Sequence, residues 1–268
     1  MNHSEVAVED IFLTGHTQEI ALRSYRPAVS DSVLPIVIYF HGGGFVRGCL
    51  EDAGCAASTI ASRTPAWVIS VGYSLAPRFP FPVALEDGLR ATRWAVENAR
   101  RYNADVNRIG VAGHDAGGNL ATCLAARARD RGEFSFKGQA LLAPLLDPSM
   151  TRIAHANEVS SPDFSVRECA QSYRAYLPIV SDRLHPYAAP LESRRLAGLP
   201  PTLIASAQND LLYVEAENYA GHLIAAGVLT EVTRYSNVSH QELATHPVVL
   251  ADVSAFFAKR LGIAAKGR

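Results

Sequence analysis

Apolar and polar positions along this chain fall into two alternating periods. Val6–Phe12 and Ile20–Tyr25 predict two early strands, a hairpin at one sheet edge. Pro35-Ile-Val-Ile-Tyr-Phe40 is a continuous apolar run, as expected for a strand covered on both faces. Trp67–Val71, Arg108–Ala112, Gln139–Leu142 and Thr202–Ala205 have the same character, and Thr230–Tyr235 predicts a late strand. Between them, helical periodicity covers 51–63, 83–100, 117–130 and 214–226, the last stopped by Gly227, and 246–261 predicts a closing helix. Strand–helix alternation of this kind predicts a mostly parallel, doubly wound α/β sheet. Residues 148–187 break the rhythm, with Pro148, Pro162, Pro178 and Pro186 separating short helical pieces. That is too long for an ordinary connection. The expected division is therefore a core of 1–147 and 188–268 with a cap or lid insertion at 148–187.

Composition narrows the partners. The 268 residues are 48% hydrophobic, enough for one large core, and the net charge is −1 with 25 basic residues spread along the chain. Neither nucleic acid nor a membrane surface is expected as a partner. No segment reaches the ~18 apolar residues of a membrane span, and the N-terminus lacks a basic region followed by an apolar stretch. Cys49, Cys55, Cys123 and Cys169 show no C-x-x-C spacing and are expected as free thiols in a cytoplasmic protein. None of the nine histidines forms H-E-x-x-H, and no Cys/His group has metal-ligand spacing, so neither a metal nor a cofactor is expected.

The chemistry concentrates at four places. Gly113-His114-Asp115-Ala116-Gly117-Gly118-Asn119 lies between a predicted strand and a predicted helix. A strand entering a helix through G-x-[nucleophile]-x-G is a nucleophile elbow, where small flanking residues let one side chain stand exposed on a sharp turn. His41-Gly42-Gly43-Gly44-Phe45 directly follows the strand 35–40, and its glycines allow backbone N–H groups to approach a bound oxygen. A phosphate loop would need a Lys-Ser/Thr after the glycines, and none follows. Asp210 and His240 each follow a predicted strand, on the same rim as Asp115. The chain order of nucleophile, acid and histidine is the α/β-hydrolase order.

On these residues the chain resembles the hormone-sensitive-lipase-like branch of the α/β-hydrolases, the bacterial carboxylesterases and acetyl esterases with H-G-G-G. His41–Phe45 is similar to H-G-G-G-F; Leu75-Ala-Pro77 with Phe79–Asp87 is similar to L-A-P…P-F-P-A-x-x-E-D; Gly113–Asn119 is similar to G-D-S-A-G-G-N; and Asp210 with His240 match the remaining triad positions. The resemblance runs from about residue 5 to the end. It implies an α/β-hydrolase fold, no cofactor, a small-molecule substrate, a catalytic set of Asp115, Asp210 and His240, and an oxyanion hole from Gly42, Gly43 and Ala116. It also implies homodimers, in some members through the edge strand before the last helix. Phe45, Val46, Phe79, Phe81, His114, Tyr173, Tyr176 and Leu177 are the candidates for a pocket lining, with Phe45, His114, Tyr173 and Tyr176 first among them for substrate contact.

Several positions depart from the family pattern. Asp115 stands where the resemblance implies serine, and His114 where it implies aspartate. The motif after the acid reads Asp210-Leu-Leu-Tyr-Val-Glu215 in place of D-P-L-x-D-E, and Gly72-Tyr-Ser-Leu-Ala-Pro-Arg78 replaces D-Y-R-L-A-P-E. Few residues precede the first strand, so the cap is expected to be mainly the 148–187 insertion and the pocket more open than in the family. A carboxylate at a helix N-terminus is expected to be ionised at neutral pH. It is a poor nucleophile for ordinary esters, since attack gives an anhydride. Three readings follow. The chain hydrolyses a small apolar ester-like substrate, the activity of its lineage. Alternatively Asp115 attacks an sp³ carbon, as in the epoxide hydrolases and haloalkane dehalogenases, forming an alkyl ester that His240 hydrolyses; Tyr173 and Tyr176 would then be donors to an epoxide oxygen. In the third, serine chemistry is lost, in a silent small-molecule-binding protein or in an esterase inactivated by a deliberate serine-to-aspartate replacement.

Overall fold

The computed structural model describes residues 5–30, 32–154, 163 and 165–263. One eight-stranded sheet organises the chain. Strands β1 (Val6–Thr14) and β2 (Glu19–Pro27) form the predicted hairpin, and β3 (Leu34–Phe40), β4 (Trp67–Gly72), β5 (Ala104–His114), β6 (Phe136–Leu142), β7 (Thr202–Asn209) and β8 (Thr230–Ser239) follow. The spatial order is β1-β2-β4-β3-β5-β6-β7-β8. β1 pairs antiparallel with β2 and β2 antiparallel with β4; every other pairing is parallel.

The helices are α1 (Gly54–Arg63), α2 (Val83–Asn98), α3 (Ala116–Arg131), α4 (Thr151–Ala154), α5 (Val166–Tyr176), α6 (Tyr213–Ala225), α7 (His240–Leu243) and α8 (Pro247–Arg260). β3 shows why its sequence is apolar throughout. Ile36, Ile38 and Phe40 join one core with Leu85 and Leu89 of α2 and Leu120 and Leu124 of α3. Val37 and Tyr39 point the other way, into a second core with Ile60 of α1 and Val253 and Phe257 of α8. Alternate residues of one strand therefore feed two cores, and no position is left for a polar side chain.

Topology places the site. From β3 the chain goes to β4 on one side, and β5 then lies on the other side of β3. The loops leaving β3 and β5 thus separate at a switch point, where open α/β sheets form their crevices at the carboxyl ends of strands. His41–Phe45 leaves β3 there and Asp115 leaves β5.

The segment 148–187 contains α4, α5 and a 3₁₀ turn at Val180–Leu184. Residues 155–162 and 164, and with them Pro162, lie outside the described residues. α5 begins with a reciprocal cap: Ser165 accepts from the Glu168 N–H, and the Glu168 side chain accepts from the Ser165 N–H. Its inner face buries Cys169, Tyr173 and Tyr176 against the core that also holds Phe45. No helix among the described residues is long and apolar enough to cross a membrane. Cys49 and Cys55 are exposed thiols, and Cys123 and Cys169 are buried ones.

Candidate active site

Asp115 sits on the turn between β5 and α3 with φ 56° and ψ −120°, a conformation that costs energy for a residue with a side chain. Hydrogen bonds hold it there. Its N–H donates to the Leu142 carbonyl at 2.9 Å, and its own carbonyl accepts from Gly118 at 3.0 Å and from Leu145 at 3.2 Å. The turn also passes very close to the end of β3. A methyl group on Gly117 would lie 2.5 Å from the His41 carbonyl oxygen and closer still to that of Phe40.

The Asp115 carboxylate divides its two oxygens between two partners. Oδ2 accepts from the Gly43 N–H at 2.8 Å and from the Gly44 N–H at 2.7 Å. Oδ1 faces His240, whose Nε2 stands 3.7 Å away. Behind the imidazole, Nδ1 of His240 donates to Asp210 Oδ2 at 2.9 Å, while Asp210 Oδ1 accepts from the Leu212 N–H at 3.0 Å. The three residues expected from chain order therefore meet in one line, Asp115–His240–Asp210.

Electrostatics make this line an ion-paired set. Burial works against charge on Asp115, but the facing His240 ring and the Gly43 and Gly44 N–H groups outweigh it and hold the carboxyl below its ordinary range. Burial also works against charge on His240, yet Asp210 on one side and Asp115 on the other raise its pKa.

Gly43 and Gly44 donate to the carboxylate; of these, Gly43 belongs to the oxyanion hole of Gly42, Gly43 and Ala116 that the family resemblance implies. The turn there runs through Gly43 at φ +118° and Gly44 at φ +59°, conformations that favour glycine, and it presents the N–H groups of both residues to Asp115. Gly42 instead packs against the His114 ring; a Cβ there would be 2.7 Å from His114 Nδ1. Ala116 is fully buried as the first residue of α3.

A pocket of about 480 Å³ opens above the carboxylate. Its lining includes Tyr39, Gly42–Gly44, Arg47, Asp52, His114, Cys169, Ser172 and His240. His114 is thus in the expected place. Phe45, Tyr173 and Tyr176 are not part of this lining. Phe45 stacks on Tyr176 at 3.9 Å, and all three rings are buried in the core beneath α5. Burying these three rings against one another removes a large apolar surface from water, which accounts for the difference. Tyr173 and Tyr176 therefore do not reach a substrate oxygen from their observed positions. Arg47, Cys169 and Ser172 were not singled out by sequence, because only the folding of α5 over the β3 loop brings them to the pocket.

Glu215 is a further residue whose importance appears only in three dimensions. It is fully buried; Oε2 accepts from the Leu146 N–H at 2.7 Å and the Asp147 N–H at 3.0 Å. It thereby pins the loop after β6, whose Leu145 N–H holds the Asp115 carbonyl. Burial pushes its pKa up to about 8 from an ordinary 4.5. The folded chain keeps a proton that the unfolded chain releases, so stability is full below pH 4.5 and falls as pH rises towards 8. Glu215→Gln, neutral at every pH, is expected to remove this contribution. Its melting temperature should lose about 8–16 °C less than that of the parent chain between pH 5 and 8.5, as for about 4 kcal/mol. Parallel thermal melts across that range check it, and identical slopes refute it.

Among the described residues no group of three or more His, Cys, Asp or Glu side chains could hold a metal ion.

Comparison with known proteins places this geometry. A family profile described as alpha/beta hydrolase fold matches residues 37–244. The esterase LipI of Mycobacterium tuberculosis is 38% identical over 260 residues, covering 94% of this chain and 80% of that one. Ethyl acetate hydrolase of Pseudomonas putida is 34% identical over 239 residues, 87% of this chain and 74% of that protein. The structure of a hyperthermophilic esterase from the archaeon Pyrobaculum calidifontis superposes with a TM-score of 0.88 at 36% identity, covering 96% of this chain and 87% of that one. The β5–α3 turn, the glycine loop after β3 and the Asp210–His240 pair thus stand on a frame shared with ester hydrolases, and this chain belongs to the α/β-hydrolase family as a carboxylesterase-type member.

Proposed function

We propose that this hydrolase acts through Asp115 as a nucleophile on an sp³ carbon that carries a leaving group. One observation supports the reading above the others. The two carboxylate oxygens have different duties, with Oδ2 seated on the Gly43 and Gly44 N–H groups and Oδ1 directed at His240. The donors that would stabilise a substrate carbonyl already serve the carboxylate, so ester cleavage first requires Asp115 to leave them.

In this scheme Oδ1 attacks the carbon, and the carbon–leaving-group bond breaks with its electron pair on the departing anion. Arg47 lines the same pocket and supplies a cation for that anion. The product is an Asp115 alkyl ester. Asp210 is the first cause of the raised His240 pKa and Asp115 a further one; esterification removes the Asp115 charge and so favours the neutral ring that acts as base. His240 then takes a proton from water, and the water oxygen attacks Cγ of Asp115. Negative charge develops on Oδ2, where two N–H donors already stand. The Cγ–O bond to the alkyl group breaks, the alcohol leaves with the His240 proton, and the new carboxyl, which holds one oxygen from water, releases the remaining water proton to solvent to restore the carboxylate.

The test uses the parent chain and His240→Gln with a panel of bromoalkanes and styrene oxide. Intact-mass analysis is expected to show an alkyl adduct on Asp115 that accumulates in His240→Gln, its breakdown slowed about 10²–10⁴-fold. Turnover of the parent chain in ¹⁸O-water should place the label in Asp115. No adduct with any electrophile, together with turnover of p-nitrophenyl esters by the parent chain, would overturn the reading in favour of ester hydrolysis. The remaining details proposed for this chain are the cap role of 148–187 and residence in the cytoplasm.

A further inference from the structure

His114 has a role that the steps above do not use. Its Nε2 lies 3.0 Å from the His240 carbonyl oxygen. A carbonyl only accepts, so Nε2 carries the proton and Nδ1 is bare. The two rings stand 4.6 Å apart between centroids, and His114 lies in the wall of the pocket beside Gly42.

We propose that His114 is a positioning residue that clamps the backbone of His240 and keeps its imidazole at Asp115 when the charge attraction between them disappears. The need for such a clamp follows from the electrostatics of the site. At rest the negative Asp115 carboxylate draws the His240 ring towards it. In the alkyl-enzyme that carboxylate is an ester, and the attraction is gone just when His240 must act as base. Asp210 holds the far side of the ring, at Nδ1. The backbone at His240 begins α7, a helix of only four residues. The bond from His114 does not depend on charge. Burial and the neighbouring His240 hold its pKa down to about 4, so the ring stays neutral throughout. Its hold on the His240 carbonyl is therefore the same before and after Asp115 is alkylated. The kinetic consequence rests on the aspartate-nucleophile reading; the clamp itself does not.

The experiment compares the parent chain with His114→Leu, which lacks the donor, and His114→Gln, which keeps an N–H at a similar reach. With a bromoalkane, adduct breakdown in His114→Leu is expected to slow at least tenfold more than adduct formation does; His114→Gln restores the ratio of the two rates to within threefold of the parent. Equal slowing of both steps, or no slowing, overturns the proposal. Histidine-ring nitrogen NMR reads the clamp without any substrate, and so decides the matter even where no adduct forms and the aspartate reading has failed. The expected result at pH 7 is a neutral His114 with its proton on Nε2, and a His240 Nδ1–H signal that shifts or broadens in His114→Leu and returns in His114→Gln. A proton on His114 Nδ1, a charged His114, or an unchanged His240 signal in His114→Leu refutes it.

Discussion

Asp115→Ser is expected to turn this chain into an active esterase. The serine oxygen ends short of the position of Asp115 Oδ2, so the Gly43 and Gly44 N–H groups become available to a substrate carbonyl. Removing the carboxylate also withdraws one of the charges that raise the His240 pKa, which favours the neutral ring a serine needs as its base. Asp210 still orients that ring through Nδ1 at 2.9 Å. One oxyanion donor is worth about 10²–10³ in rate in comparable sites, and here two are uncovered together with a competent nucleophile. The kcat/KM for p-nitrophenyl acetate should rise by at least about 10²-fold over the parent chain. Any alkyl adduct formed by the parent should be absent in the same variant. A folded Asp115→Ser protein with no gain in ester turnover would show that the Gly43–Gly44 pair is not a working oxyanion hole.

Gly117→Ala is expected to produce a large loss of stability. The new carbon would press on the Phe40 and His41 carbonyl oxygens, both backbone atoms at the end of a central strand. Neither can rotate away as a side chain would. Overpacking a flexible neighbour costs about 1–3 kcal/mol, and an immovable one more, so a loss above about 3 kcal/mol is expected. Gly221→Ala is the matched control. It lies in α6 with nothing within 4 Å of the added carbon, and alanine there should stabilise by up to about 1 kcal/mol. Urea unfolding of both variants checks the pair. Similar midpoints for the two would refute the close-approach account of the elbow.

These expectations draw unequally on sequence and on structure. The strand at 35–40 was legible because both of its faces are buried, so every residue is apolar. The limits of β5 and β8 were less so. β5 begins at Ala104 and β8 runs to Ser239, through polar residues whose pairing comes from neighbouring strands rather than from their own pattern. Tyr173 and Tyr176 show the same limit at the level of the site. Their helical spacing predicts a shared face but not what that face meets, and the fold turns it into the core.

By itself the sequence determined the α/β-hydrolase frame, the elbow at Asp115, and the order Asp115, Asp210, His240 along one rim of the sheet. These follow from local periodicity and from glycine placement, which act within a few residues. Only the tertiary structure decided that Gly43 and Gly44 rather than Gly42 face the carboxylate, that Asp115 and Asp210 stand on the two sides of the His240 ring, and that His114 Nε2 meets the His240 carbonyl. Each of these joins groups from separate loops, with Asp115 72 residues from Gly43 and His114 126 from His240. Such contacts depend on how strands order themselves and how a single turn is aimed, and the periodic pattern of the chain carries neither.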